Sequence, residues 1–274
     1  MTNYTLKNEN IHLKLTDSFD LALSLDCGQS FRWYQDNDRV WHGVAFGKYL
    51  SLYQQGDEVI FFNTSEDDFL NIWTDYFDLN RNYDSLYDIY NCDKTLSDAI
   101  ENYRGIRVLN QEPWEALCSF IISQNNNIPR IKGIIDRLCV TFGERLENGT
   151  YAFPSAEKIA GLSVDDLAPL RSGFRAKYII DAAQKVADGT VDLSALEKMP
   201  IEKARTALQL IKGVGPKVSE CVLLYSCKKA DAFPEDVWIK RAMSEYYPDG
   251  LPEEILSTRG IAQQYIFHAI RNRD

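Results

Sequence analysis

The stretch LIKGVGPKV at positions 210–218 limits the possible folds of this chain more than any other segment. Gly213 and Gly215 bracket Val214, and glycines at both positions permit positive φ angles and let an anion approach the backbone. Pro216 suits the first turn of a helix, where its missing N–H is not needed. The segment therefore predicts two helices joined by a tight hairpin whose N–H groups can bind a phosphate. An ordinary helical turn is the alternative interpretation.

Lys217 follows the hairpin in the first turn of the second helix. A surface lysine is one interpretation, but a cation there faces the positive end of the helix dipole. The dipole and partial burial both favour the uncharged amine, which is a nucleophile. Asp236 follows one helix later, where it can cap the next helix or support the chemistry of a neighbouring amine. The pattern predicts an enzyme that binds DNA and attacks a sugar carbon with an amine.

Composition limits the class of protein. The chain has 274 residues, of which 45% are hydrophobic, enough for two or three packed units. No apolar run approaches the roughly 20 residues that span a bilayer, and the polar N-terminus lacks a signal-peptide core, so we expect a cytoplasmic protein without a membrane partner. The net charge of −10 argues against a nucleic-acid coat protein. It allows an enzyme that binds DNA through a local patch and backbone amides, with strongly salt-dependent affinity.

The cysteines show no metal-binding pattern. The six lie at positions 27, 92, 118, 139, 221 and 227. None forms a C-x-x-C pair, and most lie in apolar helical patterns where a free thiol is a small core residue. We therefore expect reduced thiols and no structural metal.

Hydrophobic periodicity divides the chain into two regions and predicts an α+β fold. Short β-rich runs separated by turn residues predict an antiparallel sheet, at 12–15, 30–34, 40–46, 49–53 and 59–62. A helix over 66–77, capped by Ser65, marks the change of period. We assign 1–95 to an N-terminal β-sheet domain with a flanking helix and 96–274 to a mostly helical region, with the hairpin within about 201–227. Predicted helices in the second region cover 96–103, 113–124, 129–142, 155–161, 163–170, 175–187, 201–211, 216–227, 236–246 and 258–271.

Further segments resemble those of one DNA-repair family. The chain reads CGQSFRW at 27–33, SQNNNIPRI at 123–131 and GFRAKY at 173–178. Together with the hairpin and the PEDV segment at 234–237, their order and spacing resemble the 8-oxoguanine DNA glycosylases of the helix-hairpin-helix (HhH-GPD) superfamily. The resemblance runs from about residue 10 to the C-terminus.

The resemblance implies excision of 8-oxoguanine paired with cytosine, after the damaged nucleotide is flipped out of the duplex. Lys217 matches the nucleophile that attacks C1′ and forms a Schiff base, from which β-elimination nicks the strand. Asp236 matches the carboxylate that supports this attack. Gly28 matches the glycine whose carbonyl accepts a hydrogen bond from N7–H, a hydrogen that guanine lacks.

Other matched residues are implied to contact the base and the opposite strand. Cys221 and Phe267 match the pair that sandwiches the base, and Gln263 matches the group that reads its Watson–Crick edge. Without the resemblance, Cys221 and Phe267 would be interpreted as core residues and Gln263 as a surface residue. The residues that match those filling the vacated stack and reading the estranged cytosine are Asn125, Arg130 and Arg175.

Two positions depart from the family pattern. Trp238 stands where the family often has histidine, and Phe174 where it often has tyrosine. We expect activity to survive with altered DNA contacts, and the combination resembles a bacterial branch. Cys227 is the last cysteine, which excludes the four-cysteine iron–sulfur cluster of related endonucleases. We expect no cofactor, although a monovalent cation under the hairpin stays open, and a monomer that acts on double-stranded DNA containing 8-oxoguanine.

Three other functions stay open. An alkylpurine glycosylase would use the aspartate and water and should lack Lys217. A non-catalytic DNA-binding module would use the hairpin alone, so that Lys217→Gln would change only affinity. A helical interaction domain is favoured by the acidic charge alone.

Overall fold

A computed structural model describes residues 3–272 of the chain. Its N-terminal part is one six-stranded antiparallel sheet with the strand order β1-β2-β6-β5-β4-β3. The strands are β1 (Asn3–Lys7), β2 (Asn10–Lys14), β3 (Trp33–Gln35), β4 (Trp41–Ala45), β5 (Lys48–Gln55) and β6 (Glu58–Phe62). The N-terminal antiparallel sheet that the alternating pattern predicts is confirmed.

The sheet buries one face, because alternate residues of each strand point to the same side. In β6, Val59 and Phe61 are buried, whereas their neighbours along the strand are partly exposed. Phe61 pairs with Leu52 of β5 and with Ile11 of β2, which are also fully buried. This apolar face packs on the helical segment that follows β6, through residues such as Trp73.

Helices form most of the remaining chain. They are α1 (Leu21–Leu25), α2 (Glu66–Asp68), α3 (Thr74–Tyr76), α4 (Tyr83–Tyr90), α5 (Lys94–Tyr103), α6 (Pro113–Ser123), α7 (Ile128–Phe142), α8 (Ala156–Ala160), α9 (Ala176–Ala187), α10 (Ile201–Leu208), α11 (Pro216–Ser226), α12 (Val237–Tyr246) and α13 (Arg259–Arg271). A π-helical turn, Phe69–Trp73, joins α2 to α3, and Ser65 caps α2 as predicted. Single 3₁₀ segments occur at Asp165–Leu170, Gly173–Arg175, Leu193–Ala195 and Glu253–Thr258.

Helix α6 is the centre of the second, larger hydrophobic core. Every residue from Trp114 to Ile122 is buried, so α6 has no polar face and is enclosed by other helices. It packs against α11, the helix that begins at the hairpin and carries Lys217. The helical core therefore fixes the end of α6 against the beginning of α11.

The α+β fold class is confirmed, and the element bounds differ in places. The strand β1 and the helices α1 and α4 were not predicted from periodicity. Residues 165–170 form a 3₁₀ segment instead of the α-helix predicted over 163–170, with Pro169 inside it. The helix predicted over 201–211 ends at Leu208, and turns lead from there into the hairpin.

Candidate active site

The two hairpin glycines have different conformations. Gly213 has a φ of +82°, and a Cβ there would lie 2.5 Å from the ring of Tyr178. Gly215 has a φ of −101° and a ψ of −173°, which any residue adopts, so of the two glycines that permit positive φ only Gly213 uses it. No atom of the described residues lies within 4 Å of a Cβ placed on Gly215. Gly215 therefore leaves open space where a ligand can approach.

Backbone donors converge at the start of α11. Gly215 is the N-cap of this helix and has no side chain to satisfy the first N–H groups. The Val214 N–H donates to the Ile211 carbonyl at 3.0 Å within the hairpin, so Val214 itself supplies no free amide. The donors open to an anion are therefore those of the first turn of α11, reinforced by the helix dipole.

Lys217 is partly buried and its amine points towards the end of α6. Its Nζ lies 3.4 Å from the Ser123 hydroxyl, to which it donates, and 5.3 Å from the centre of the Phe120 ring. Phe120 in turn stacks on Tyr225, with ring centres 5.2 Å apart and an interplanar angle of 18°. These contacts hold the amine at one wall of a cavity.

Asp236 is the N-cap of α12. One carboxylate oxygen accepts hydrogen bonds from the N–H groups of Trp238 at 3.0 Å and Ile239 at 2.9 Å. The capping interpretation is thus correct, and it fixes the carboxylate in space. Asp236 and Lys217 line the same cavity, so the cap does not remove the carboxylate from the site.

A cavity of about 660 Å³ brings half of the predicted site residues together, and this volume is typical of a small-molecule site. Its lining includes the predicted site residues Gly28, Asn125, Gly215, Lys217, Asp236, Trp238 and Phe267. Residues from the N-terminal region, α6, α11, α12 and α13 therefore meet at one point. A second cavity, of about 550 Å³, lies between the sheet and α7 and contains none of these residues.

Two predicted base-contacting residues, Cys221 and Gln263, are buried and do not line this cavity. Cys221 is buried one turn after Lys217, and burial raises the pKa of its thiol to about 11. The positive charge of Lys217 lowers the Cys221 pKa and the negative charge of Asp236 raises it, so both charges lie close to the thiol. Gln263 is also buried, and the expectation of a surface position without the family resemblance is wrong; its Nε2 donates to the Pro234 carbonyl at 3.2 Å.

The backbone conformation at position 28 favours glycine. Its φ is +85°, in the region that other residues rarely adopt, and a Cβ there would lie 3.3 Å from the Ile128 side chain. The positive φ sets the direction of the peptide planes on either side of Gly28. The residue is part of the cavity wall, opposite the start of α11.

The predicted opposite-strand residues are divided between the cavity, which Asn125 and Trp238 line, and positions outside its lining, where Arg130, Phe174 and Arg175 lie. Asn125 is exposed with a φ of +48°, and Phe174 is 49% exposed. Arg175 is buried, and its guanidinium donates to the carbonyls of Gln124 and Asn125. Arg175 therefore supports the loop that carries Asn125, and it must leave these carbonyls to reach a base. Burial, and after it the charge of Arg130, lowers the Arg175 pKa.

Several residues that line the cavity or contact a predicted site residue were not predicted. Ser123 and Phe120 contact the Lys217 amine, Lys240 and Arg271 line the cavity, and Gln264 contacts Gln263. Ser123 lies in the SQNNNIPRI segment, so its position was available as a signal. The others lie inside helices with no pattern that separates them from core or surface residues.

Two family models cover most of the chain. Residues 11–117 match the 8-oxoguanine DNA glycosylase N-terminal domain, and residues 118–255 match the HhH-GPD superfamily of base excision DNA repair proteins. The chain belongs to the 8-oxoguanine DNA glycosylases of the HhH-GPD superfamily. The predicted family is confirmed, and with it the enzyme class of DNA glycosylase and lyase.

Solved structures and curated relatives agree with this family. The Clostridium acetobutylicum 8-oxoguanine glycosylase/lyase, solved with double-stranded DNA containing cytosine opposite 8-oxoguanine, is 35% identical, with a TM-score of 0.91 over 99% of this chain and 97% of that chain. MBOgg1, solved with a low-affinity DNA ligand, is 40% identical, with a TM-score of 0.93 over 99% and 98%. The Saccharomyces cerevisiae N-glycosylase/DNA lyase is 31% identical over 83% of this chain and 68% of its own length.

Neither a membrane-spanning helix nor a metal-binding group of side chains occurs in the part of the chain described. No helix within residues 3–272 is long and apolar enough to cross a bilayer. Within the same range, no three or more His, Cys, Asp or Glu side chains are grouped so that they could hold a metal ion.

Proposed function

We propose that this enzyme excises 8-oxoguanine paired with cytosine through a Schiff base on Lys217 and then nicks the strand by β-elimination. One observation carries the proposal: Gly28, Lys217 and Asp236 come from three separate segments and line one cavity large enough for a purine. The match of the whole chain to glycosylase/lyases of this family supports the same reaction.

The proposed reaction begins with the neutral amine of Lys217 at C1′ of the flipped nucleotide. As the N–C1′ bond forms, the glycosidic bond breaks, and its electron pair leaves with N9 of the base, which takes up a proton. Negative charge at Asp236 stabilises the positive charge that develops on the sugar. Loss of a proton and opening of the sugar ring give the imine. The imine acidifies the 2′ hydrogens, so removal of one of them expels the 3′ phosphate.

Recognition of the base is proposed to depend on one backbone carbonyl. The Gly28 C=O accepts the N7–H of 8-oxoguanine, whereas guanine presents a lone pair at N7 and is repelled. Cys221 and Phe267 hold the two faces of the base. Burial keeps the Cys221 thiol protonated at neutral pH, so it contacts the base as a neutral group. Gln263 reads the Watson–Crick edge.

DNA is proposed to be held by backbone amides and a small surface. The start of α11, with Gly213 and Gly215 in the hairpin before it, binds a phosphate. The residues proposed to fill the gap left by the base and to contact the opposite cytosine are Asn125, Arg130, Phe174, Arg175 and Trp238. With a net charge of −10, the protein is expected to bind DNA with strongly salt-dependent affinity.

The remaining expectations follow from this substrate. We propose that the enzyme acts as a monomer without a cofactor, because an amine nucleophile and a carboxylate suffice for the proposed steps. A DNA substrate places it where the DNA is, which in a bacterium is the cytoplasm.

The test uses labelled duplexes that contain 8-oxoguanine opposite each of the four bases, with undamaged guanine opposite cytosine as the control. The expected result is base release and strand nicking that are fastest opposite cytosine and absent on the undamaged duplex. Release of 8-oxoguanine without nicking would favour a water-dependent glycosylase. No release from any duplex would contradict the proposal.

A further inference from the structure

The buried carboxamide of Gln264 contacts the carboxamide of Gln263, the residue proposed to read the base. Gln264 is the next residue on α13, and both side chains are buried. The Gln264 Nε2 donates to the Gln263 Oε1 at 2.7 Å, and the Gln263 Nε2 donates to the Pro234 carbonyl at 3.2 Å. One hydrogen bond therefore engages each end of the Gln263 carboxamide.

These two bonds determine which end of Gln263 is the donor. A backbone carbonyl only accepts, so the Pro234 oxygen requires the NH₂ group of Gln263 to face it. The Gln263 oxygen must then face Gln264, which presents its own NH₂ group. If the Gln263 carboxamide rotated by 180°, its oxygen would face the Pro234 carbonyl oxygen, and its NH₂ group would face the NH₂ group of Gln264. Buried contacts of this kind are costly because neither group finds another partner.

Gln264 is held in the orientation that this arrangement needs. Its Nε2 also donates to the hydroxyl of buried Tyr225, and its Oε1 lies 3.7 Å from the Sγ of Cys27. Burial raises the Cys27 pKa to about 11, so the thiol is protonated, and its single S–H is shared between this oxygen and the Ser24 carbonyl, which lies 3.4 Å from the sulfur. Tyr225 stacks on Phe120, the ring beneath the Lys217 amine. Tyr225 therefore contacts both Gln264 and the ring that packs against the proposed nucleophile.

A fixed carboxamide can distinguish two kinds of purine. Gln263 retains one free N–H and one free oxygen lone pair for a ligand. In one orientation these groups match O6 and N1–H of a guanine-type edge. In the reversed orientation they match N1 and the N6 amino group of an adenine-type edge, as carboxamides commonly do with adenine. A carboxamide that is free to rotate would accept both edges.

We propose that Gln264 is a positioning residue that fixes the orientation of the Gln263 carboxamide and so restricts excision to oxidised purines with a guanine-type Watson–Crick edge. The inference depends on the proposed function, because Gln263 must read the base for its orientation to matter. It assigns to Gln264 no contact with the substrate.

The test compares 8-oxoguanine with 7,8-dihydro-8-oxoadenine, each opposite cytosine. Both bases carry N7–H and a C8 carbonyl, so they differ at the Watson–Crick edge. Single-turnover excision of both is measured for the wild type, Gln264→Met and Tyr225→Phe, with cleavage of a preformed abasic site as a readout that needs no base recognition. Asn110→Leu is the matched control, because it removes a buried carboxamide whose NH₂ group donates to the Asp75 carbonyl at 2.8 Å, away from Gln263.

Gln264→Met is expected to lower the preference for 8-oxoguanine by about tenfold, the discrimination commonly lost with one oriented hydrogen-bonding group. Tyr225→Phe, which keeps the ring and removes the hydroxyl, should lower it by a smaller factor. Both variants should cleave the abasic site at the wild-type rate, and Asn110→Leu should keep the wild-type preference.

Two failures are distinguishable. If the wild type does not release 8-oxoguanine, the proposed function is wrong. If the wild type is active and the preference is unchanged in Gln264→Met and Tyr225→Phe, the role of Gln264 is wrong. If Gln264→Met does not fold, Tyr225→Phe decides, and an unchanged preference in that variant overturns the inference.

Discussion

The amine of Lys217 lies 3.4 Å from the hydroxyl of Ser123, the last residue of the buried helix α6. The Ser123 hydroxyl donates to the Phe120 carbonyl at 2.8 Å, so it presents a lone pair to the amine. Because α6 and α11 pack together in the core, this contact has a fixed position in the fold. The amine is thereby kept at the cavity that Asp236 also lines, as its proposed role as nucleophile requires.

Asp236 caps α12 and is proposed to support the chemistry, and two substitutions separate these roles. Asn caps helices about as well as Asp but carries no charge. Asp236→Asn should therefore keep the free energy of unfolding and lower the single-turnover excision rate by about 100-fold. Asp236→Ala should lose a similar factor in rate and also about 1 kcal/mol of stability. Urea unfolding and excision kinetics on the same preparations check both effects. Wild-type excision by Asp236→Asn would show that the residue only caps α12.

Gly28→Ala tests whether the carbonyl direction at this position selects the lesion. Alanine at a φ of +85° is strained and should cost about 1–2 kcal/mol. Gly56→Ala is a matched control, because Gly56 has a φ of +61° with no atom within 4 Å of the added Cβ and lies outside the cavity. Both variants should lose similar stability, measured by urea unfolding. Gly28→Ala alone should lose discrimination between 8-oxoguanine and guanine. If Gly56→Ala lost this discrimination to the same extent, the assignment of base recognition to Gly28 would be contradicted.

Substitution by alanine should affect protein stability at one hairpin glycine and DNA affinity at the other. Gly213→Ala places a methyl group 2.5 Å from the Tyr178 ring at positive φ, so it should lower stability by about 2 kcal/mol or more. Gly215→Ala meets no atom of the described residues and should cost at most about 0.5 kcal/mol. Its methyl group should still obstruct an approaching phosphate and raise the dissociation constant for duplex DNA. Thermal melting and a DNA-binding titration distinguish the two; unchanged DNA affinity in Gly215→Ala would place the phosphate elsewhere.

The raised pKa of Glu112 predicts that protein stability depends on pH, independently of base excision. Burial, and after it the charge of Glu115, raises its pKa from 4.5 to about 7, against the opposing charge of Arg32. The folded state therefore binds the proton more tightly, and this stabilisation is complete below pH 4.5 and lost as the pH rises through 7. Glu112→Gln should stabilise the protein by about 1–2 kcal/mol at pH 8 and change little at pH 4.5.

Urea unfolding of Glu112→Gln at the two pH values is the measurement. Glu115→Gln is the contrasting control, because Glu115 forms a buried ion pair with Arg32 at 3.2 Å and its removal leaves that charge without its partner. This control should be destabilised at pH 8. A stability gain from Glu112→Gln of equal size at both pH values would contradict the raised pKa.

Periodicity predicted the class of fold because most elements bury one regular face. It missed β1, which is an edge strand without a buried residue and shows little alternation between exposed and covered positions. It also missed α1, whose five residues are too short to show a helical repeat. The centre of the molecule was predictable for the opposite reason, since the run that forms α6 is heavily apolar and begins with a proline.

Site residues could be predicted only where they lie within short sequence motifs. The G-x-G pattern indicated the hairpin, but it could not show that only Gly213 needs positive φ, because that depends on Tyr178 against it in three dimensions. Gln264 carried no signal at all. It lies in a stretch of α13 that is buried on every side, where a polar residue is recognised as functional only through its partners.

Borohydride reduction during the reaction with a duplex containing 8-oxoguanine shows whether Lys217 is the nucleophile. Lys240 also lines the cavity, so Lys240→Gln is the matched control for Lys217→Gln. A Lys217 nucleophile should give a covalent protein–DNA adduct in the wild type and in Lys240→Gln, mapped by peptide mass spectrometry to Lys217. Lys217→Gln should bind the duplex and give no adduct. An adduct on another residue, or trapping by Lys217→Gln at the wild-type level, would contradict it.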